Sequence, residues 1–394
     1  MIAALGSQVD LLGLGEALHG SEEILVIRNR MFQQLVERHG FSAIVIEASS
    51  PQARAVNEYV LGERERLDPD VEWWFANGFG LLEANRELVE WLRAHNAGVA
   101  PERRLHFYGF DLPLGAGGLS SPSRVLDIAL AYLEKVDGKR AAEHGARIAE
   151  VAGDAADWER PEAFFDPSKS LGLTAGAAAL RIAVLDLITD LRVHGPEYVS
   201  HSDVLDYSDA LHHAELGRKL LDAHAALARP GAYATMLGVR DVIMADNLLH
   251  VLARERGRGK VMVFSASGHL KRATMKWHLP PGDDVKEWWP AGAHLTQALG
   301  DRYAVIGMAL GSSEANAVAA PEPGTLEAAL AAAGGSFFIP TAGGEVTGSP
   351  VRTGSTLNPT YAPLNGESFA DFEWLIFLES TAYPRGGPSL TAWG

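Results

Sequence analysis

At 394 residues the chain is longer than one hydrophobic core usually organises, and its apolar fraction of 47% is that of a globular protein, neither disordered nor membrane-spanning. Fifty acidic residues outweigh 34 basic ones, and a formal charge of −16 repels phosphate backbones and anionic lipid surfaces, which argues against nucleic acid and membranes as partners. With no cysteine, disulfides, thiolate nucleophiles, iron–sulfur clusters and cysteine-bound zinc are all excluded.

In chain order, the opening residues MIAALGSQVD carry no basic segment ahead of their short apolar run, so the expected location is the cytoplasm. Apolar runs over 9–14, 43–46, 105–108, 261–264 and 303–308, with another at 373–378, are predicted strands. Most are separated by helical patterns, and they are continuous rather than alternating. An α/β fold follows, with a central, largely parallel sheet flanked by helices. Residues 123–256 have almost no strand signal and hold long helical segments at 173–193, 203–227 and 233–254, punctuated by Pro122, Pro161, Pro167, Pro196 and Pro230. This stretch is predicted to be a helical insertion forming a cleft wall, on an α/β core made of 1–122 and 257–394. The tail after Gly311 is rich in Gly, Pro, Ala and Thr and reads as irregular surface chain.

Ligands of open parallel sheets bind at the carboxyl ends of the strands, so polar residues there are the first candidates. The run LLGLGEALHGSE (11–22) ends a buried strand in glycines and presents Glu16 and His19. A dinucleotide fingerprint would need a third glycine where Leu18 stands, and a glutamate in the loop opposes an anion. The next strand ends in Glu47. If these first two strands are neighbours, Glu47 and Glu16 open into one crevice, where a carboxylate would set the tautomer of His19 and make it a general base. The competing role for Glu47 is to cap a helix beginning at Ser49-Ser50-Pro51.

Arg28 falls within the apolar stripe Ile24, Ile27, Met31 and Leu35 of a helix over 22–38. A guanidinium there needs an anion, either as a structural partner of Glu16 or Glu47 or as an oxyanion stabiliser. Arg240 shares a helical face with Met236, Ile243, Asn247 and Val251, and its alternatives are pairing with Asp111 or Asp241, or clamping a substrate. Asp111 and His269 follow the third and fourth predicted strands. Ser265 and Ser267 make no G-x-S-x-G elbow. There is no H-E-x-x-H, and His212-His213-Ala214-Glu215 lacks the one-turn spacing of a zinc helix, so neither metal nor cofactor is assigned. Trp73, Trp74 and Phe75 are candidates to line a substrate site, or simply core.

The segment Gly15-Glu16-Ala17-Leu18-His19-Gly20, followed by Arg28 and by Glu47 at a strand end, resembles the opening of erythromycin-esterase family members. The resemblance continues through Asn57-Glu58-Tyr59-Val60, Glu90-Trp91-Leu92-Arg93-Ala94-His95-Asn96, Tyr108-Gly109-Phe110-Asp111, Arg240-Asp241 with Met244-Ala245-Asp246-Asn247, and Gly268-His269. It implies hydrolysis of an ester, in macrolides a lactone, by activated water without a covalent acyl-enzyme. On that resemblance His19 activates water, Glu16 and Glu47 orient it and the imidazole, Arg28 stabilises the oxyanion, and Arg240 and His269 line the opposite wall. The chain departs from the family pattern A-H-N-G-H, reading Ser265-Ala266-Ser267-Gly268-His269, and Ala266 has no group to transfer a proton.

The expected function is therefore an esterase acting on a bulky, apolar natural product of macrolide or polyketide type, in antibiotic resistance or in natural-product biosynthesis. The alternatives are a tailoring enzyme using the same base for elimination, cyclisation or acyl transfer, and a binding protein that does not turn its ligand over.

Overall fold

The computed structural model describes residues 8–67, 80, 82–114, 118–231, 233–278, 285–342, 349–352, 358, 360, 361 and 363–381. Trp73, Trp74 and Phe75 lie outside them. Strands are β1 (Leu11–Glu16), β2 (Phe41–Ser49), β3 (His106–Asp111), β4 (Lys260–Ala266), β5 (Met275–His278), β6 (Val285–Trp288), β7 (Tyr303–Ser312), β8 (Phe337–Pro340) and β9 (Trp374–Ser380). Helices are α1 (Glu22–His39), α2 (Ser50–Leu61), α3 (Glu83–Ala97), α4 (Pro122–Val136), α5 (Gly138–Ala152), α6 (Ala155–Trp158), α7 (Ala175–Val193), α8 (Gly195–His201), α9 (Val204–Leu227), α10 (Tyr233–Arg254), α11 (Ser267–Leu270), α12 (Ala291–Leu299) and α13 (Leu326–Ala331). No helix among the described residues is long and apolar enough to cross a membrane.

The main sheet has seven strands in the order β3-β2-β4-β1-β7-β9-β8. Strand β1 runs parallel to β4 and β7, β2 parallel to β4, and β7 parallel to β9, while β8 closes the edge antiparallel to β9. The fold is the expected α/β arrangement, and the strands buried on both faces explain the continuous apolar runs. The first two strands are not neighbours, as the single-crevice argument had required. Strand β4, reached only after the helical segments, inserts between them. Strand β2 also runs on to Ser49, so Glu47 sits inside its last turn of pleat rather than at its end.

Contacts divide the chain into two compact units, one of residues 1–110, 247–276 and 289–394, the other of 111–246 and 277–288. In the first, Leu12, Leu14, Ile44, Ile46, Met262 and Phe264 of the sheet share a core with Ile24 and Leu35 of α1, Val56 of α2 and Leu88 of α3. Helix α1 stops where Gly40 takes the left-handed conformation (φ 69°) and its N–H bonds back to Leu35 O, a turn that glycine makes without steric cost. The described part of the tail after Gly311 is less irregular than its composition suggested: it supplies α13, β8 and β9, and fully buries Glu327. Arg352 reaches from it to the carbonyls of Leu310 and Gly311 at the end of β7.

In the second unit α4 packs against α5 and α9, and α7 packs against the same two, which closes a ring of four helices. Their core includes Leu126, Leu133, Ile148, Leu180, Leu187 and Leu221.

Candidate active site

Glu16 is the last residue of β1 and is 5% exposed. The chain then turns so that His19 returns beside it, with Nδ1 and Glu16 Oε1 2.5 Å apart. With the carboxylate ionised, the imidazole Nδ1–H donates and Nε2 keeps its lone pair. Burial raises the Glu16 carboxyl above its ordinary value, against the charge and hydrogen bond of His19; nearby Glu47 adds to the rise and Arg28 opposes it. The His19 side chain is 17% exposed against 6% for that of Glu16, so the imidazole is the half of the pair a ligand meets first.

A second carboxylate–imidazole pair joins β2 to α11. Glu47 Oε2 accepts hydrogen bonds from Ser265 Oγ at 2.7 Å and from the Ala266 N–H at 3.0 Å. Its other oxygen, Oε1, lies 3.7 Å from His269 Nε2 on α11. Strand β4, which separates β1 from β2, thus supplies the donors that hold Glu47. Ser49 precedes α2 without a side-chain cap, and Glu47 reaches across to β4.

Glycine at position 15 lets α11 lie this close. A Cβ there would stand 2.8 Å from Ser267 Cα and 2.6 Å from Ser267 Oγ, closer than such atoms approach. Ala266 is the register partner of Glu16, so the residue that departs from the family pattern is the cross-strand neighbour of the buried carboxylate. Its methyl group forms no hydrogen bond, and Glu16 Oε2 has no partner among the described residues.

Arg28 is 1% exposed, as the periodicity of α1 implied. Its Nε and Nη2 both donate to Asn29 Oδ1, and its guanidinium lies 5.0 Å from the centre of the Phe264 ring. Burial pulls its pKa down to about 10, opposed by the charges of Glu16 and Glu22. Glu22 accepts from the N–H groups of Glu83 and Ala84, and Asn29 Nδ2 donates to Ala84 O, so this polar patch also fastens α1 to the start of α3.

The structure brings Glu16, His19, Glu47, His269 and Arg28 together in the first unit. In the second, Arg240 and Asp111 face each other: Nε and Nη2 donate to the two carboxylate oxygens, each at 2.8 Å. Asp241 instead accepts from Trp288 Nε1. Among the described residues no three histidine or carboxylate side chains gather in a way that could hold a metal ion.

Sequence reading passed over Ser265 as a ligand of Glu47. It also missed a buried cluster around Glu255, which accepts from Ser42, Tyr108 and Arg258 and pairs with His106 Nδ1 at 2.5 Å. Burial alone would raise Glu255, but the hydrogen bonds and charge of His106, with Ser42 and Tyr108, hold it below the ordinary glutamate value. A signal was present: an acid just past the C-terminus of α10 opposes the helix dipole and needs a specific partner.

The fold and the site define an α/β protein with two carboxylate–imidazole pairs, Glu16–His19 after β1 and Glu47–His269 between β2 and α11. The erythromycin esterase family model matches residues 36–361, and the chain belongs to that family. The matched span includes Glu47, Arg240 and His269 and begins after Glu16, His19 and Arg28. An Escherichia coli protein named erythromycin esterase type II is 21% identical over 317 residues, covering 76% of this chain and 68% of its own. Among solved structures, a Bacillus cereus protein superposes with a TM-score of 0.73 at 17% identity over 98% of this chain and 91% of its own. A mutant of the erythromycin esterase EreC in its open conformation gives 0.72 at 18% identity, over 98% and 94%. A succinoglycan biosynthesis protein gives 0.70 at 17%, over 97% and 90%. These likenesses establish the fold.

Proposed function

We propose that the protein hydrolyses an ester or lactone of a bulky, mostly apolar natural product of the macrolide or polyketide class, with water as nucleophile and no covalent intermediate. One observation carries the reading: the 2.5 Å contact between His19 and a buried carboxylate that ends a parallel strand. With Glu16 ionised and bonded to Nδ1–H, Nε2 of His19 takes a proton from water as the oxygen attacks the carbonyl carbon. The carbonyl π pair moves to oxygen, giving a tetrahedral oxyanion. Collapse of that oxyanion expels the alkoxide, which takes a proton from imidazolium. Glu47 and His269 form the second pair, and Arg28 supplies positive charge behind Glu16. The Arg240–Asp111 pair of the second unit binds substrate in this reading. The cytoplasm is the proposed location, and antibiotic resistance or natural-product biosynthesis the setting.

The absence of a serine elbow favours direct attack by water. Incubation with erythromycin in oxygen-18 water tests hydrolysis itself: one label atom in the ring-opened carboxylate is expected, and an altered but unlabelled product would overturn it. Such a product is what the second reading expects. In that reading the same base drives elimination, cyclisation or acyl transfer. It draws support from Ala266, which offers no second imidazole across the strand from Glu16.

A further inference from the structure

We propose that Ser265 is a positioning residue of the site, acting through Glu47 on His269. Ser265 is wholly buried, and its hydroxyl donates to Glu47 Oε2 at 2.7 Å. The Ala266 N–H donates to the same oxygen at 3.0 Å. Two donors from one strand therefore occupy a single carboxylate oxygen and fix the rotation of the carboxyl plane. The remaining oxygen, Oε1, is the one that faces His269 Nε2 across 3.7 Å.

A carboxylate held by the backbone N–H alone can swing about that single bond, whereas a second donor from a side chain on the same strand removes the swing. The hydroxyl touches neither the imidazole nor any reacting atom, so its influence on His269 passes through Glu47. A serine that merely satisfied its own buried hydroxyl would be equally content with a backbone carbonyl, the commonest partner of such groups. Here it spends its proton on Glu47, the carboxylate whose other oxygen faces His269.

The inference takes its catalytic meaning from the proposed function, but its test does not need turnover. Protein labelled with nitrogen-15 in its histidines is examined near neutral pH, with the His269 ring signals identified by their loss in His269→Gln. In Ser265→Ala the His269 ring nitrogens are expected to shift in the same direction as in Glu47→Gln, while those of His224 stay in place. Ser265→Cys, which keeps the volume and offers only a weak donor, is expected to follow Ser265→Ala; it also answers the question if the alanine variant does not fold. Where erythromycin is a substrate, kcat falls about tenfold or more with KM unchanged, as loss of a hydrogen bond to a charged group predicts. Unmoved His269 signals in both serine variants would overturn the proposal, as would unmoved signals in Glu47→Gln. If the wild-type protein opens no lactone while the ring signals shift as expected, the proposed substrate fails and the positioning role stands.

Discussion

Replacing Arg28 with methionine tests whether the buried guanidinium holds the site together electrostatically. The substitution keeps most of the side-chain length and removes the charge. Arg28 is 1% exposed, and the two carboxylates whose charge it feels, Glu16 and Glu22, are 5% and 4% exposed. Removing a buried charge that two buried carboxylates feel, together with its two hydrogen bonds to Asn29, approaches the cost of breaking a buried ion pair, about 3–5 kcal/mol. The lost cation–π contact with Phe264 adds about 1 kcal/mol, and packing of the methionine thioether offsets a similar amount. A net loss of about 3–5 kcal/mol is expected.

The loss has a pH signature. Burial already raises the folded Glu16 carboxyl, and Arg28 is one of the groups opposing that rise, so the variant raises it further. A carboxyl raised on folding costs stability above its folded pKa, and the cost is relieved as pH falls through that value to the unfolded one. The deficit of the variant should therefore be larger at about pH 8 than at about pH 5. Urea denaturation at the two pH values, with an unchanged m-value, measures this. A deficit below about 1 kcal/mol, or one equal at both pH values, would refute the reasoning.

Two further outcomes follow from single residues. His224 is buried, with Nε2 against Ser120 O, and burial lowers its pKa from 6.5 to about 4. The unfolded chain therefore binds the proton first, and stability falls by about 3 kcal/mol in total as pH drops from 6.5 to 4; His224→Gln should flatten this limb of the urea-denaturation free energy. Gly15→Ala should lower the melting temperature and displace the His269 ring signals, because the new methyl group meets the Ser267 backbone and α11 must move; an unshifted spectrum would show that the loop adapts elsewhere.

Much of the site was legible because the sheet is parallel. Continuous apolar runs that stop at a charged residue placed Glu16 near one edge, and helical periodicity singled out Arg28 among otherwise apolar neighbours. The strand order was not legible. Whether β2 or β4 lies beside β1 is decided by a crossover more than 200 residues long, and local pattern carries no trace of it. The same distance hid the link from Ser265 to Glu47, 218 positions apart, and that from Glu255 to His106, 149 apart. Strand β8 and the β5–β6 ribbon are only four residues per strand, too short for a period to show. Gly- and Pro-rich composition hid the order of the tail, whose buried Arg352 is held by carbonyls that no sequence pattern marks.

The central claim is that the imidazole beside Glu16 performs the proton transfer, and turnover of a macrolide lactone by His19→Ala tests it most directly. The account predicts a protein that still folds and a rate lower by about a hundredfold to ten-thousandfold. Full activity in that variant would contradict it.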